Sequence, residues 1–509
     1  MHPWLPKHFI AIVGSFLLLA ACAGAGPVLK LSAEANRETT RCMTEFVAMD
    51  RAVRAARVGD AAALRVPGLP FLRADRFLAS YRSRPLDTPQ TRAWAERMRA
   101  LDAESRDIER ANLPPEAAAK LVEKFGGRAL GETLRHCGNT LMAVLLARPD
   151  ARQILRARVR APVHYLRWRR IVGLYYLTSL GVSAGYRKWQ RGNLGSFSRP
   201  IEDIGITGHL TTYAPLPPQP PPLATAGVAA ILKAAARGPL GIPDPDKEDM
   251  ARLFQTFAPV WQVDTKGDAD RIGTPVLTAI DKAKIDTVRP VTYVLASHTR
   301  VGDRVLLQLN YMIWFPARPR TGAFDLLGGD FDGLIWRVTL GRDGRPLLYD
   351  SVHQCGCYSL FFPARPMRIR PEADGSNGED GVIAPQQAPT LKPGQRMLIR
   401  IAANSHYIRK LAVWSDGAEA GPPPRVYDFV DYNLLRSLKT PAGRHHSLFR
   451  ADGLLAGSAR KERFILWPMG IKSAGAMRQW GTHATAFVGR RYFDAPDLID
   501  RSFILLPER

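Results

Sequence analysis

The sequence predicts an α+β protein, with an N-terminal α-helical region followed by a C-terminal, mainly antiparallel β-sheet or sandwich region. Three observations predict it. From about residue 30 to 190, apolar residues recur at helical spacing. The stretch YAPLPPQPPPLATAG, Tyr213 to Gly227, then breaks the pattern with a proline-dense, extended connector. Beyond about residue 290, short apolar runs alternate with Gly, Asp and Pro turns.

The helical elements come first. Cys42, Phe46, Met49 and Val53 fall on one helix face. Thr88-Pro89 reads as an N-cap followed by proline at the first helical position, with Trp94, Met98, Leu101 and Ile108 lining the face behind it. A further helix starts near Pro114 and stops at Gly126-Gly127. Leu130, Leu134, Cys137, Leu141 and Leu145 form an apolar stripe ending before Pro149. The run IVGLYYLTSL, Ile171 to Leu180, is too short and too interrupted to span a bilayer. After the connector, Gly227 to Ala236 and Asp246 to Phe257 read as two more helices.

Strands follow. Val305 to Phe315, VLLQLNYMIWF, is apolar on both faces, as in a central strand covered on each side. LIWRVTL, a turn at Asp343-Gly344, RMLIRIA and HYIRKLAVW continue the series. FPARP occurs twice, at 315–319 and 362–366. Parallel neighbouring strands would bring Arg318 and Arg365 together as an anion-binding rim; the other reading is two unrelated strand exits ended by proline. The resulting organisation is a leader 1–21, a tether 22–30, a helical domain 31–212, a linker 213–226, a β-rich domain 227–420 and a mixed extension 421–509 packed on the β-rich domain.

At the N-terminus, Lys7 and His8 precede an apolar run from Phe9 to Ala21, the length of a signal-peptide core. It ends in Leu19-Ala20-Ala21-Cys22, which resembles the lipobox of bacterial lipoproteins. The resemblance covers only the first two dozen residues. It implies cleavage before Cys22, a diacylglyceryl thioether on that sulfur and N-acylation of the new terminus, and several acyl chains anchor stably. Ala23, rather than aspartate, follows the cysteine, which implies an outer-membrane location facing the periplasm.

The formal net charge is +24, and arginines cluster in RQILRARVRAPVHYLRWRR, with Arg152, Arg156, Arg158, Arg160, Arg167, Arg169 and Arg170. For an exported chain this disfavours nucleic acid and points to anionic lipid headgroups or acidic glycans; the alternative is an ordinary set of solvated basic faces. With Cys22 used by the lipid, Cys42, Cys137, Cys355 and Cys357 remain as disulfide candidates with three possible pairings.

DSVHQCGCYSLFFP, Asp350 to Pro363, places His353, Cys355 and Cys357 at alternate positions. A straight strand would put them on one face but spread them over about 13 Å, so a shared ion requires a bend, which Gly356 could supply. Thiolate and imidazole suit Zn or Cu, with His406 as the fourth ligand and His298 or His209 as weaker substitutes. A Cys355–Cys357 bridge would close a very small, labile ring, and two buried thiols are the third reading. In GGDFDG, Asp330 and Asp332 are acid/base candidates or turn caps. EADGSNGEDG, 372–381, reads as an acidic surface loop, and no GxSxG, HExxH, P-loop or dinucleotide fingerprint occurs. The expectation is a lipid-anchored, noncatalytic binding or assembly component of the envelope. The alternative is a metal-dependent hydrolase or thiol redox enzyme built around His353, Cys355, Cys357, Asp332 and His406.

Overall fold

The computed structural model describes residues 37–217, 221–365, 367–373, 381–415 and 422–506. The expected leader, Cys22, Ala23 and the tether lie outside these residues, as do parts of the proline connector and of the acidic loop.

The helical half begins with α1 (Arg37–Ala56), whose face of Cys42, Phe46, Met49 and Val53 is buried as its spacing predicts. A hairpin of β1 (Leu64–Val66) and β2 (Leu69–Ala74) follows, turning at Pro67-Gly68, and α2 (Arg76–Ala79) closes it. Helix α3 (Thr88–Ala111) is capped by Asp87, not Thr88: the Asp87 carboxylate accepts from the Gln90 N–H, and the Gln90 side chain accepts from the Asp87 N–H. Helix α4 (Pro115–Lys124) ends at Gly126 and Gly127, both at positive φ. In α5 (Leu130–Leu146) the whole predicted stripe is buried, and Cys137 is disulfide-bonded to Cys42 of α1. Helices α6 (Ala151–Arg158), α7 (Arg167–Val172) and α8 (Tyr175–Asn193) complete this half.

The buried face of α3 departs from expectation. Trp94 and Met98 are core residues, but Asp102, Arg106 and Glu109 are buried in place of Leu101 and Ile108. Arg73 of β2 donates to Asp102 (3.0 Å) and to Glu109 (2.6 Å), while Arg106 donates to Asp102 (2.7 Å) and to Asp50 of α1 (3.0 Å). Paired geometry is what makes such burial tolerable.

Strand β3 (His209–Pro215) lies inside the stretch expected to be helical, yet belongs to the large sheet. The other strands of that sheet are β4 (Val260–Thr265), β7 (Val291–Val301), β8 (Arg304–Arg318), β9 (Gly329–Leu340), β10 (Pro346–His353), β11 (Leu360–Pro363), β13 (Arg396–Ile401), β14 (Ile408–Trp414) and β15 (Arg425–Asp431). Small hairpins are made by β5 (Thr274–Ala279) with β6 (Lys282–Asp286) and by β16 (Leu438–Lys439) with β17 (His445–His446); β12 (Met367–Ile369) pairs with β18 (Phe503–Leu505). The ten-stranded order is β11-β10-β9-β8-β7-β15-β3-β4-β13-β14. It is antiparallel except at the β7·β15, β15·β3 and β4·β13 seams.

Both faces of the sheet are covered, as the two-sided apolar pattern of β8 predicts. Leu307, Leu309, Tyr311, Ile313 and Phe315 pack with Val228 and Leu232 of α9 (Thr225–Ala235) and with Leu253 and Phe254 of α10 (Lys247–Thr256). Met312 and Trp314 pack against Leu435, Phe449, Met477 and Phe493 of the C-terminal segment, which also carries α11 (Arg463–Leu466) and α12 (Leu498–Ser502). The halves are bonded to each other: Arg436 donates to Asp60 (2.6 Å) and pairs with Glu104, and Asn112 donates to the Arg436 carbonyl (2.8 Å).

Candidate functional site

Asp332 leaves β9 just after Phe331, which sits at φ +62°, and points into the protein interior. Three cationic or cation-capable side chains converge on its carboxylate. His406 Nδ1 lies 2.9 Å from Oδ2, His353 Nδ1 lies 3.4 Å from Oδ1, and Arg460 Nη2 lies 3.3 Å from Oδ1. The Gly333 N–H also donates to it, at 2.9 Å. The His406 ring is stacked flat on Phe315, 3.9 Å between centroids, and its Nε2 lies 3.3 Å from Asp270. The backbone at His406 (φ +52°) and at nearby Asn404 (φ +61°) is left-handed, a cost that surrounding contacts must impose.

Burial would raise the Asp332 pKa, but Arg460 and His353 hold it well below the usual carboxylate range. Burial would likewise lower that of His406, yet hydrogen bonds to Asp270 and Asp332 outweigh it and raise the value. His353 goes the other way: burial lowers it despite Asp332. The cluster is therefore a carboxylate with one charged and one neutral imidazole. Beside His353 lies a cavity of about 10 Å³, room for about one water molecule, lined by Trp189, Ser351, Tyr358 and Tyr407 among others.

The alternation of His353, Cys355 and Cys357 does not survive folding. Strand β10 ends at His353, and the chain turns: the Gly356 N–H donates to the His353 carbonyl (2.7 Å) and the His353 N–H to that of Cys357 (3.0 Å). Gly356 is at φ +89°, and a Cβ there would stand 2.7 Å from the Ala484 carbonyl oxygen. The bend foreseen at Gly356 exists, but it sends Cys355 and Cys357 into the apolar layer with Val352 and Met477, away from the histidine pair. Both cysteines are free and buried. Their thiols interact with each other, and buried Glu462, Arg460 and Asp332 make up the surrounding charge.

The four residues proposed as metal ligands thus divide into two pairs. Among the described residues, only Cys42, Glu45 and Cys137 bring three ligand-type atoms within 4.8 Å of one another, and there the two sulfurs are used by the disulfide. Asp330 and Asp332 also separate: Asp330 is exposed and Asp332 buried. Arg318 donates to the Tyr407 hydroxyl (2.9 Å) beside the cluster. It does not meet Arg365, because β11 lies three strands from β8 and runs antiparallel to it, so the FPARP exits point to opposite ends of the sheet.

A second feature lies on the surface. The IVGLYYLTSL run forms the end of α7 and the start of α8 with its large side chains outward: Trp168 is 57% exposed, Ile171 67%, Tyr176 87%, Leu177 68% and Leu180 68%. Underneath, the junction is fastened. Gly173 abuts Pro468, where a Cβ would come within 2.6 Å. Arg170 donates to the Met469 carbonyl (2.8 Å), and the Leu166 N–H to the Gly470 carbonyl (2.7 Å). Next to this seat, α11 adds exposed Phe464 and Ile465, and the loop bonded to it adds Phe324. Arg160, Arg167, Arg187 and Lys188 are exposed along the same segments. An open groove of about 680 Å³ lined by Arg82, Arg152 and Arg156 uses part of the arginine-rich stretch.

Several of these residues carry no local signal. Asp270, Arg460 and Glu462 come from unrelated loops, and only tertiary packing brings them to Asp332. The exposed face did have one, since Trp, Tyr and Arg flanking a short apolar run is the composition of a helix lying in an interface. No protein family matches the chain, and neither a curated protein nor a solved structure shows significant similarity to it.

Proposed function

We propose that this chain is a lipid-anchored envelope protein, a noncatalytic binding or assembly component that sits against an anionic membrane surface in the periplasm. The observation that carries the reading is the fastened α7–α8 face. Isolated apolar side chains on a surface are ordinary; a contiguous group of large ones bordered by basic residues is a docking surface. No described helix is long and apolar enough to cross a membrane, so this face would lie in the headgroup boundary and not span it. The net charge of +24 complements anionic headgroups, and the arginine-lined groove offers the same chemistry to a lipid phosphate. An anchor at Cys22 would keep α1 within at most ~50 Å of the bilayer.

The test is co-sedimentation of the leaderless chain with phosphatidylglycerol-containing and purely zwitterionic vesicles. Binding is expected only to the anionic vesicles, weakening as salt is raised from about 0.05 to 0.5 M. Ile171→Glu with Leu177→Glu is expected to lower partitioning at least about tenfold without changing the melting temperature. Protein left in the supernatant at low salt would sink the docking reading. An unmodified Cys22 in the mass spectrum of native membrane fractions would sink the anchor. The metal-dependent hydrolase alternative lacks a converged ligand set among the described residues.

A further inference from the structure

We infer that Cys355 and Cys357 form a reversible dithiol–disulfide couple oxidised by a small peroxide, with Glu462 as the proton acceptor for the second thiol. This goes beyond the membrane-docking reading and does not depend on it.

The argument begins with the turn. Two backbone hydrogen bonds close residues 353–357 on themselves, and the positive φ of Gly356 is enforced by the Ala484 carbonyl. Arg478 locks the turn from outside: its N–H donates to the Gln354 carbonyl (2.9 Å) and its Nε to the Cys355 carbonyl (3.0 Å). The two sulfurs are held facing each other before any reaction, so the orientation cost of closing a bond between them is already met.

A carboxyl is built in beside them. Glu462 is only 7% exposed, and Gly475, at φ +82°, leaves the space it fills; a Cβ there would overlap the carboxyl. Burial pushes the Glu462 pKa up to about 7. Burial would also raise the Cys355 thiol, but contact with Cys357 and the Arg460 charge bring it down, whereas Cys357 is driven well up by Cys355 and by burial. Cys355 is thus the attacking thiolate, and Cys357 the thiol that needs a base.

Exposure selects the oxidant. Cys355 is 3% and Cys357 6% exposed, which closes the pair to a protein disulfide but admits a molecule the size of hydrogen peroxide. The Cys355 thiolate attacks one peroxide oxygen; an S–O bond forms, the O–O bond breaks, and the departing hydroxide leaves as water once protonated. Cys357 gives its proton to the Glu462 carboxylate and attacks the Cys355 sulfur. The S–S bond forms, the S–O bond breaks, and the leaving hydroxide takes the proton from Glu462. In sum, two thiols and one peroxide become one disulfide and two waters. A small thiol reverses the change by successive exchange, two thiols being oxidised to their own disulfide.

The experiment treats the folded full chain with hydrogen peroxide and follows the peptide carrying Gly356 by mass and by thiol labelling after denaturation, with Cys42–Cys137 as an internal control. Loss of both thiols with a mass decrease of about 2 Da, restored by glutathione, is the expected result. Cys357→Ser should stop at a sulfenic acid on Cys355 that dimedone captures. Glu462→Gln should leave that first step unchanged and slow closure at least about tenfold. The wild-type arm decides the question even if a variant misfolds. Retention of both thiols at a peroxide dose that fully oxidises free cysteine would overturn the proposal. So would direct passage to sulfinic acid with no disulfide.

Discussion

Asp332 is a charge with three partners and no water, so removing it should cost more than removing an ordinary surface aspartate. Asp332→Asn leaves Arg460 and His406 buried without their counter-charge, and about 3–5 kcal/mol of stability should be lost in urea titrations; a loss under about 1 kcal/mol would contradict a tight ion cluster. The sign of the pH dependence follows from the two shifts. The contribution of Asp332 is present above its unfolded value of about 4 and is lost as pH falls through its depressed folded value; that of His406 is complete below about 6.5 and is lost as pH rises through its raised folded value. The cluster is therefore worth most between roughly pH 4 and 6.5. His483 behaves oppositely. Burial holds it at about 3, so the unfolded chain takes up its proton first, and stability falls as pH drops below 6.5. His483→Gln should reduce the loss between pH 6.5 and 4.5 by about 2–3 kcal/mol, read from urea midpoints at both values. Gly356→Ala must carry a Cβ at φ +89° against a carbonyl oxygen, and a drop of about 2 kcal/mol or more is expected by the same measurement. At this scale the sequence marked His353, His406 and Asp332 by residue type. Their convergence depended on packing that residue type does not encode, and the cysteines left the histidine face because the strand ended one residue too early for alternation to continue.

The helices were legible where their cores are apolar: the stripes of α1 and α5 could be read residue by residue, and so could the disulfide that joins them as one of the open pairings. That bond closes a sequence separation of 95. Cys42→Ala with Cys137→Ala should cost about 2–5 kcal/mol on the chain-entropy view, visible as a lowered urea midpoint, while a change under about 1 kcal/mol would show that packing alone fixes the helix pair. The elements that escaped did so for physical reasons. The buried face of α3 is charged, so a hydropathy pattern assigns Asp102, Arg106 and Glu109 to solvent; only Arg73, on a different element, reveals where they go. Strand β3, HLTTYAP, is short, half polar and ends in proline, and its partners β4 and β15 are supplied by distant parts of the chain. The α7–α8 face was noticed only as an inadequate membrane span, although a run too short to cross a bilayer is long enough to lie in one. Its seat is testable: Gly173→Val forces a side chain against Pro468 and should lower vesicle binding through a displaced helix pair, with the core disulfide still formed.

For the whole molecule, the α+β division was readable from the change of period along the chain, but the way the halves join was not. Arg436, from the end of the sheet half, reaches Asp60 and Glu104 in the helical half, and Arg76 reaches back to Asp494. Ion pairs buried at such a seam couple the two parts, so far-UV ellipticity and tryptophan fluorescence should report one shared unfolding transition. Arg436→Ala, which strands buried Asp60, should lower its midpoint by about 3–5 kcal/mol or split it in two; coincident curves with no shift would mean the seam contributes nothing. One feature of the topology reaches beyond stability. The parallel seams on either side of β15 mean that β7 and β3 each wait for a strand that begins only at Arg425. A chain emerging amino end first therefore carries two unsatisfied edges until nearly all of it has been delivered. A holding chaperone at the exit is then an ordinary need, and synthesis stalled before residue 425 should yield a product that self-associates through those open edges.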